Sequence, residues 1–405
     1  MTLKIGTARK AITPEIGTLL AGYDANVVSD GIRDDLYISG IAFDDGMKRA
    51  LLLSYDLLGL DEDIVNEIRK KCAAANGLEA GDIILTCTHT HSGPHTRRNL
   101  LADLDKDYVA KVINWSIEAA SDAFKCMLEV DLFHYSVQCH ENINRRVILP
   151  DNSCKNLPSF KHLEPLANNI TDPELGILYF VDKTKKTPVA TLVNYAAHPL
   201  ACQTGGASGR KISSDYPGVL RKYVESELGG FCSFTSGACG DLHPRRFENG
   251  FARTDEIGTT IGRITTEHFF DAARNQEMFK TNKADIKTHS SFVKVPFRDN
   301  EEKSKLYGDQ KSIRLELQFL AIGDICFVGV PGELLVEPGL EIKWNSPFRK
   351  TFILYNSTAY ISYISHANAY LEGGYETDTA LLASTASFTI VSAAIDALNQ
   401  MFNTP

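Results

Sequence analysis

The run Thr86-Cys87-Thr88-His89-Thr90-His91-Ser92-Gly93-Pro94-His95 holds the densest chemistry in the chain. It follows Ile83-Ile84-Leu85, an apolar stretch that reads as a buried strand. Continued as a strand, alternation of faces puts His89 and His91 on the same side, about 6.6 Å apart. Two imidazoles at a strand end, just before a Ser-Gly-Pro turn, are costly to bury without a partner. A transition metal is the usual partner, zinc by default. A pair of hydrogen-bonded turn histidines is the competing reading.

Further segments place polar residues just past apolar strands, where active sites of α/β proteins gather. Thr191 to Tyr195 runs out into Ala196-Ala197-His198-Pro199, with His198 fixed by a proline; a lone histidine of this kind reports local hydrogen bonding as readily as metal binding. Ile325 to Val330 breaks at Pro331-Gly332 and presents Glu333 at an expected helix start, where a carboxylate also suits the helix dipole. Tyr360-Ile361-Ser362-Tyr363 is followed by Gly373-Gly374-Tyr375-Glu376; tyrosine clusters are ordinarily half-buried packing with wet hydroxyls. A glycine-rich turn from Gly237 to Pro244 follows Phe231 to Phe234 and carries Asp241 and His243. An Asp bonding its own backbone would explain that turn equally well. Two histidines, a carboxylate and acid–base candidates together make the inventory of a catalytic zinc site.

Holding these residues at one point requires a scaffold, and strand-like and helix-like segments alternate throughout. Ile41 to Phe43 and Ala50 to Tyr55 flank an Asp-Asp-Gly hairpin turn. Asp61 is placed to cap a helix that ends at Gly77, and further helices are expected at 107–128, 217–228, 255–275 and 379–401. Strands are expected at 189–195, 313–319, 325–330 and 352–355. Residues 142–172 are polar and proline-containing without a period, a long loop of the functional kind. No internal repeat, low-complexity tract or interdomain linker is visible, so one α/β domain is expected, with mixed β-sheets flanked by helices and the metal site at strand ends. Across 405 residues, 43% hydrophobic and 23% charged content is that of a globular protein with ample core. The net charge of −9 disfavours nucleic acid and anionic membranes. No membrane span or secretory leader is apparent, and nine cysteines without a CxxC pair suit a cytoplasmic protein.

The residues also carry a resemblance, to the neutral/alkaline ceramidase family. The matches run in order along most of the chain: Gly22-Tyr23, Gly31 to Tyr37, Asp56 to Gly59, His89 to Pro94, Asn144-Arg145-Arg146, His198-Pro199, Ser213 to Gly218, Gly240-Asp241, Pro331-Gly332-Glu333, and Tyr363 with Gly374-Tyr375-Glu376. The resemblance implies one zinc per chain held by His89, His198, Glu333 and Tyr363, with Tyr360 the alternative to Tyr363. It implies that His91 lies beside the metal and serves catalysis. Arg145 would face the substrate, with Arg146 adjacent and Tyr375 nearby. Where ceramidases have a serine in Gly-Asp-Val-Ser-Pro, this chain has His243 in Gly240-Asp241-Leu242-His243-Pro244. The expected domain is 1–405, a single catalytic domain without the β-sandwich-like domain that follows in ceramidases.

The expected activity is that of a zinc hydrolase using metal-bound water on an amide, ester or lactone bond of a small, polar, carbohydrate-like substrate. Asp241 or His243 would serve as general base, and His91 or Tyr363 would stabilise the oxyanion or protonate the leaving group. Competing readings are a ceramide-type N-acyl hydrolase using Ser92 or Ser236, a catalytically silent zinc protein, and a glycoside hydrolase built on Asp241 and Glu376.

Overall fold

The computed structural model describes residues 2–22, 27–98, 104–157, 161–166, 169–203, 210–245, 250–281 and 283–404. Within them the strands and helices assemble one unit three times. In the first unit, β1 (Lys4–Ala11) pairs antiparallel with β2 (Tyr37–Asp44), and β2 with β3 (Arg49–Tyr55). Helix α1 (Glu62–Asn76) then crosses to β4 (Ile83–Cys87), parallel to β3, and α2 (Lys106–Lys125) packs beside α1. The same order recurs in β5 (Leu128–Gln138), β6 (Glu174–Asp182), β7 (Pro188–Tyr195), α3 (Tyr216–Leu228), β8 (Phe231–Ser236) and α4 (Phe251–Arg274). It recurs again in β9 (Ile286–Pro296), β10 (Ser312–Ile322), β11 (Ile325–Gly329), α5 (Val336–Trp344), β12 (Lys350–Leu354) and α6 (Ala386–Asn403).

A short β1–β5 pairing joins the first two units into an eight-stranded sheet ordered β8-β7-β6-β5-β1-β2-β3-β4, and the third unit forms its own sheet, β9 to β12 in sequence. Two of the hairpins close by the same chemistry. The Asp45 carboxylate accepts the N–H groups of Met47 and Lys48 at 2.7 Å, and Asp182 accepts those of Thr184 and Lys185 at 2.7 and 2.8 Å. Each unit buries one sheet face under its own helix pair. The other faces meet in a shared core containing Phe43, Leu52, Phe180, Leu192, Phe327 and Phe352. Burial on both faces is why the inner strands read as continuous apolar runs.

The parallel edge strands β4, β8 and β12 come together. Ser236 Oγ donates to the Thr88 carbonyl and Thr86 Oγ1 to the Tyr355 carbonyl, each at 2.7 Å, and Tyr355 N–H donates to the Ser236 carbonyl at 3.1 Å. Their C-terminal ends therefore open onto one spot, contributed by all three units.

Several expectations are corrected here. A topological repeat exists, although no residue pattern announces it. The segment 142–172 is not a structureless loop but contains strands Asn142–Asn144, Arg146–Ile148 and Cys154–Asn156. Helix α6 begins at Ala386, not 379, because the preceding backbone is drawn to the third sheet: Ala383 N–H donates to the Pro296 carbonyl at 3.0 Å. Asp61 stands at the N-cap of α1, but its carboxylate accepts the N–H of Arg98 at 2.8 Å and none from the helix. Gly77 ends α1 at φ 64°, as expected.

Candidate metal centre

Strand β4 ends at Cys87, so strand alternation does not set the histidine pair. His89 instead turns back at φ 72°, a left-handed conformation uncommon for a non-glycine residue. The rings of His89 and His91 still converge, with centroids 4.8 Å apart at 84°. His198, three residues past β7, brings a third ring to 4.8 Å from His89. All three can offer a nitrogen within 4.8 Å of one another.

Their hydrogen bonds decide which nitrogen. His89 Nδ1 meets the Leu58 carbonyl at 2.7 Å, with the Asn356 amide against the same atom at 2.9 Å. His198 Nδ1 meets the Cys239 carbonyl at 2.6 Å, and His91 Nδ1 the Gly22 carbonyl at 3.1 Å. A carbonyl only accepts, so at His91 and His198 Nδ1 carries the proton and Nε2 presents a lone pair; at His89 the Leu58 carbonyl, closer than the donor-only Asn356 nitrogen, assigns the same tautomer. Burial pushes His198 down to about 4 and holds His91 well below the ordinary imidazole range, so both rings stay neutral. Gly22 lets His91 in: a Cβ there would lie 2.3 Å from Nδ1.

Glu333 faces this group. It lies in a two-residue strand, Glu333–Leu334, paired in parallel with Tyr363–Ile364; the helix begins later, at Val336, which corrects the expected helix-start position. Glu333 Oε2 is 3.4 Å from His89 Nε2 and 3.3 Å from His198 Nε2, and neither nitrogen makes a hydrogen bond. Tyr355 donates to Oε2 at 2.7 Å and Tyr360 to Oε1, a pattern that suits an ionised carboxylate. A tetrahedral zinc site with ligand bonds of about 2.0–2.1 Å has edges of about 3.4 Å. Buried lone pairs and a carboxylate at those spacings fit a cation between them, and His89, His198 and Glu333 could hold it with His91 alongside.

Behind these residues lies a second set. Arg145 is buried and each of its three nitrogens donates to a neighbour: Nε to Glu376, Nη1 to His243 Nε2 at 2.7 Å, and Nη2 to the Gly240 carbonyl at 2.8 Å and the Tyr363 hydroxyl at 3.0 Å. Arg146 is held by Glu376 at 2.8 Å and Glu372 at 3.0 Å, away from the cavity wall. Asp241 Oδ1 accepts from Val336 N–H and Oδ2 from Asn144, each at 2.8 Å. Burial raises Asp241 to about 6. Asp241 and His243 are thus brought close behind the centre but not onto the cavity, whereas Tyr363 and Tyr375 line it.

The cavity has a volume of 340 Å³, with His89, His91 and Glu333 at its base and Arg97, Glu302 and Tyr307 among its walls. Sequence reasoning missed Tyr355, Asn356 and Arg97. Tyr355 and Asn356 directly follow an expected strand, and Arg97 follows the histidine motif by six residues, so position relative to those elements was the available signal. Tyr23, at the matched Gly-Tyr motif, lies outside the described residues. No described helix is long and apolar enough to cross a membrane.

No protein-family model and no curated protein matches this sequence. Solved structures match in three dimensions. The crystal structure of neutral ceramidase from Pseudomonas aeruginosa superposes with a TM-score of 0.79 at 16% identity, over 99% of this chain and 75% of that one. A ceramidase complexed with C2 gives 0.81 at 16% identity, over 100% and 76%. Likeness at this identity carries architecture rather than chemistry. The chain is therefore a mixed α/β protein with the fold of neutral ceramidase from end to end.

Proposed function

We propose that this protein is a zinc-dependent hydrolase, a divergent relative of neutral ceramidase, acting on an amide, ester or lactone bond of a small polar substrate. One observation carries the reading: His89 and His198, each with Nδ1 at a backbone carbonyl, turn Nε2 toward the buried Glu333 carboxylate, with His91 beside them. When bound, a divalent ion supplies Lewis acidity to a carbonyl and to water. His89, His198 and Glu333 would hold it, with Tyr363 in the fourth position that the resemblance implies. Burial and the Glu333 charge hold the Tyr363 phenol well above its ordinary range; Arg145, donating to its oxygen, opposes that shift, and the cation itself would have to supply the rest.

His91 lines the cavity, and in this reading it would take a proton from the attacking water and return it to the leaving group. Arg145, Arg146 and Glu376 form an ion-paired block that positions Tyr363 and His243. Tyr375, half-exposed and stacked edge-on with Tyr363 at 5.7 Å, is placed to contact substrate. His243 supplies no acyl nucleophile where ceramidases have serine, and this favours water over a serine ester. All nine cysteines are free thiols, eight of them buried, which suits the reducing cytoplasm.

Glu333→Ala tests the reading by losing zinc and hydrolysis of a mixed ester, lactone and amide panel together. Full zinc retention in that variant would remove Glu333 from the centre.

A further inference from the structure

Arg97 lines the same cavity as the histidines. Its guanidinium carbon lies 4.1 Å from the centroid of the Tyr360 ring. Tyr360 also stacks near-parallel with His89, at 13° and 6.4 Å between centroids, and its hydroxyl donates to Glu333. The guanidinium thus stands one aromatic ring away from the candidate metal ligands, and stacking fixes its plane while leaving its N–H edge available.

That edge lacks an acidic partner. Among the described residues no carboxylate comes within ion-pair distance of Arg97; its buried Nε makes no hydrogen bond, and Nη1 reaches only the Arg98 carbonyl at 3.4 Å. Arg98 beside it is bound to Asp61 and Asp63, and Arg145 behind the centre is fully engaged. Arg97 is therefore the one arginine on the described cavity wall with no carboxylate at ion-pair distance, although Glu302 and Asp61 on the same wall feel its charge. A single planar fork matches a carboxylate, and Glu302 and Asp61 on the same wall disfavour a dianionic phosphate.

We propose that Arg97 binds a carboxylate of the substrate, so the substrate class is a small organic acid bearing the scissile amide, ester or lactone bond; this rests on the hydrolase reading for where that bond lies. Wild-type protein, Arg97→Ala and Arg97→Lys are titrated calorimetrically, metal-free and zinc-loaded, with N-acetylglycine, its neutral amide N-acetylglycinamide and inorganic phosphate. The metal-free wild type should bind N-acetylglycine about tenfold more tightly than the amide. Arg97→Ala should lose that preference, Arg97→Lys should keep part of it, and both variants should hold as much zinc as the wild type. Equal binding of acid and amide by the wild type, or a preference that survives in Arg97→Ala, overturns the proposal. So does phosphate binding more tightly than N-acetylglycine. A wild-type protein that takes up no zinc defeats the hydrolase reading instead, while the metal-free titrations still decide the role of Arg97.

Discussion

Arg145 Nη1 donates to Nε2 of His243 at 2.7 Å. A guanidinium only donates, so His243, which the ceramidase resemblance sets where that family has serine, accepts there and carries its proton on Nδ1. Burial and the adjacent Arg145 hold this ring neutral, well below the ordinary imidazole range. Restoring the serine should therefore not restore acyl-enzyme chemistry: His243→Ser is expected to hydrolyse acyl amides no faster than the wild type. Rate measurements with a trap for a covalent acyl-serine check this, and a large gain with a trapped adduct would return the chain to the ceramidase mechanism.

Glu376 is fully buried between two guanidinium groups, and Asn156 also donates to both of its oxygens at 2.8 Å. Removing its charge leaves Arg145 buried without a carboxylate and Arg146 with Glu372 alone. Glu376→Gln should cost about 3–5 kcal/mol of stability, read from urea denaturation of metal-free protein. A loss below about 1 kcal/mol would mean that the block is not held by this ion pair.

Gly22→Ala separates the two roles open to His91. The new Cβ would sit 2.3 Å from His91 Nδ1 at a backbone φ of 82°, so the ring must move. With His91 moving protons and the metal held by others, zinc content should stay at the wild-type level while kcat falls about 100-fold. Loss of zinc in this variant would make His91 a ligand.

Stability should fall in acid, and His134 supplies part of the slope. Burial, with Arg349 nearby, lowers His134 from the ordinary 6.5 to about 4. The unfolded chain then binds the proton more readily, so this stability is fully present above about pH 6.5 and is lost as pH falls towards 4. His134→Gln should flatten the denaturation free energy between those limits by up to about 3 kcal/mol. An unchanged slope would place the acid sensitivity elsewhere, with His198 the next group to replace.

Much of the scaffold was readable because burial on both sheet faces leaves unbroken apolar runs, as in Ile83 to Leu85 and Ile325 to Val328. The threefold repeat was not, since it preserves strand order and packing without preserving residues. The centre shows the same division. His89, His91, His198 and Glu333 stand out by type beside strand ends, and the fold brings all four together. A left-handed turn at His89, not strand alternation, aims the rings. Arg145 and Asp241 looked available in sequence because their partners, Glu376, Asn144 and the Val336 N–H, are remote along the chain. Tyr355 and Arg97 are not legible in the sequence because their places at the centre depend on contacts across the fold, the Tyr355 hydroxyl on Glu333 and Arg97 over the Tyr360 ring, which no spacing encodes.

Metal content is the most direct test of the central claim. Elemental analysis of untagged wild-type protein beside His89→Ala should find about one zinc per chain in the first and almost none in the second. Wild-type protein that folds and hydrolyses ester, lactone or amide substrates without metal, or His89→Ala protein that keeps its zinc, would contradict the account.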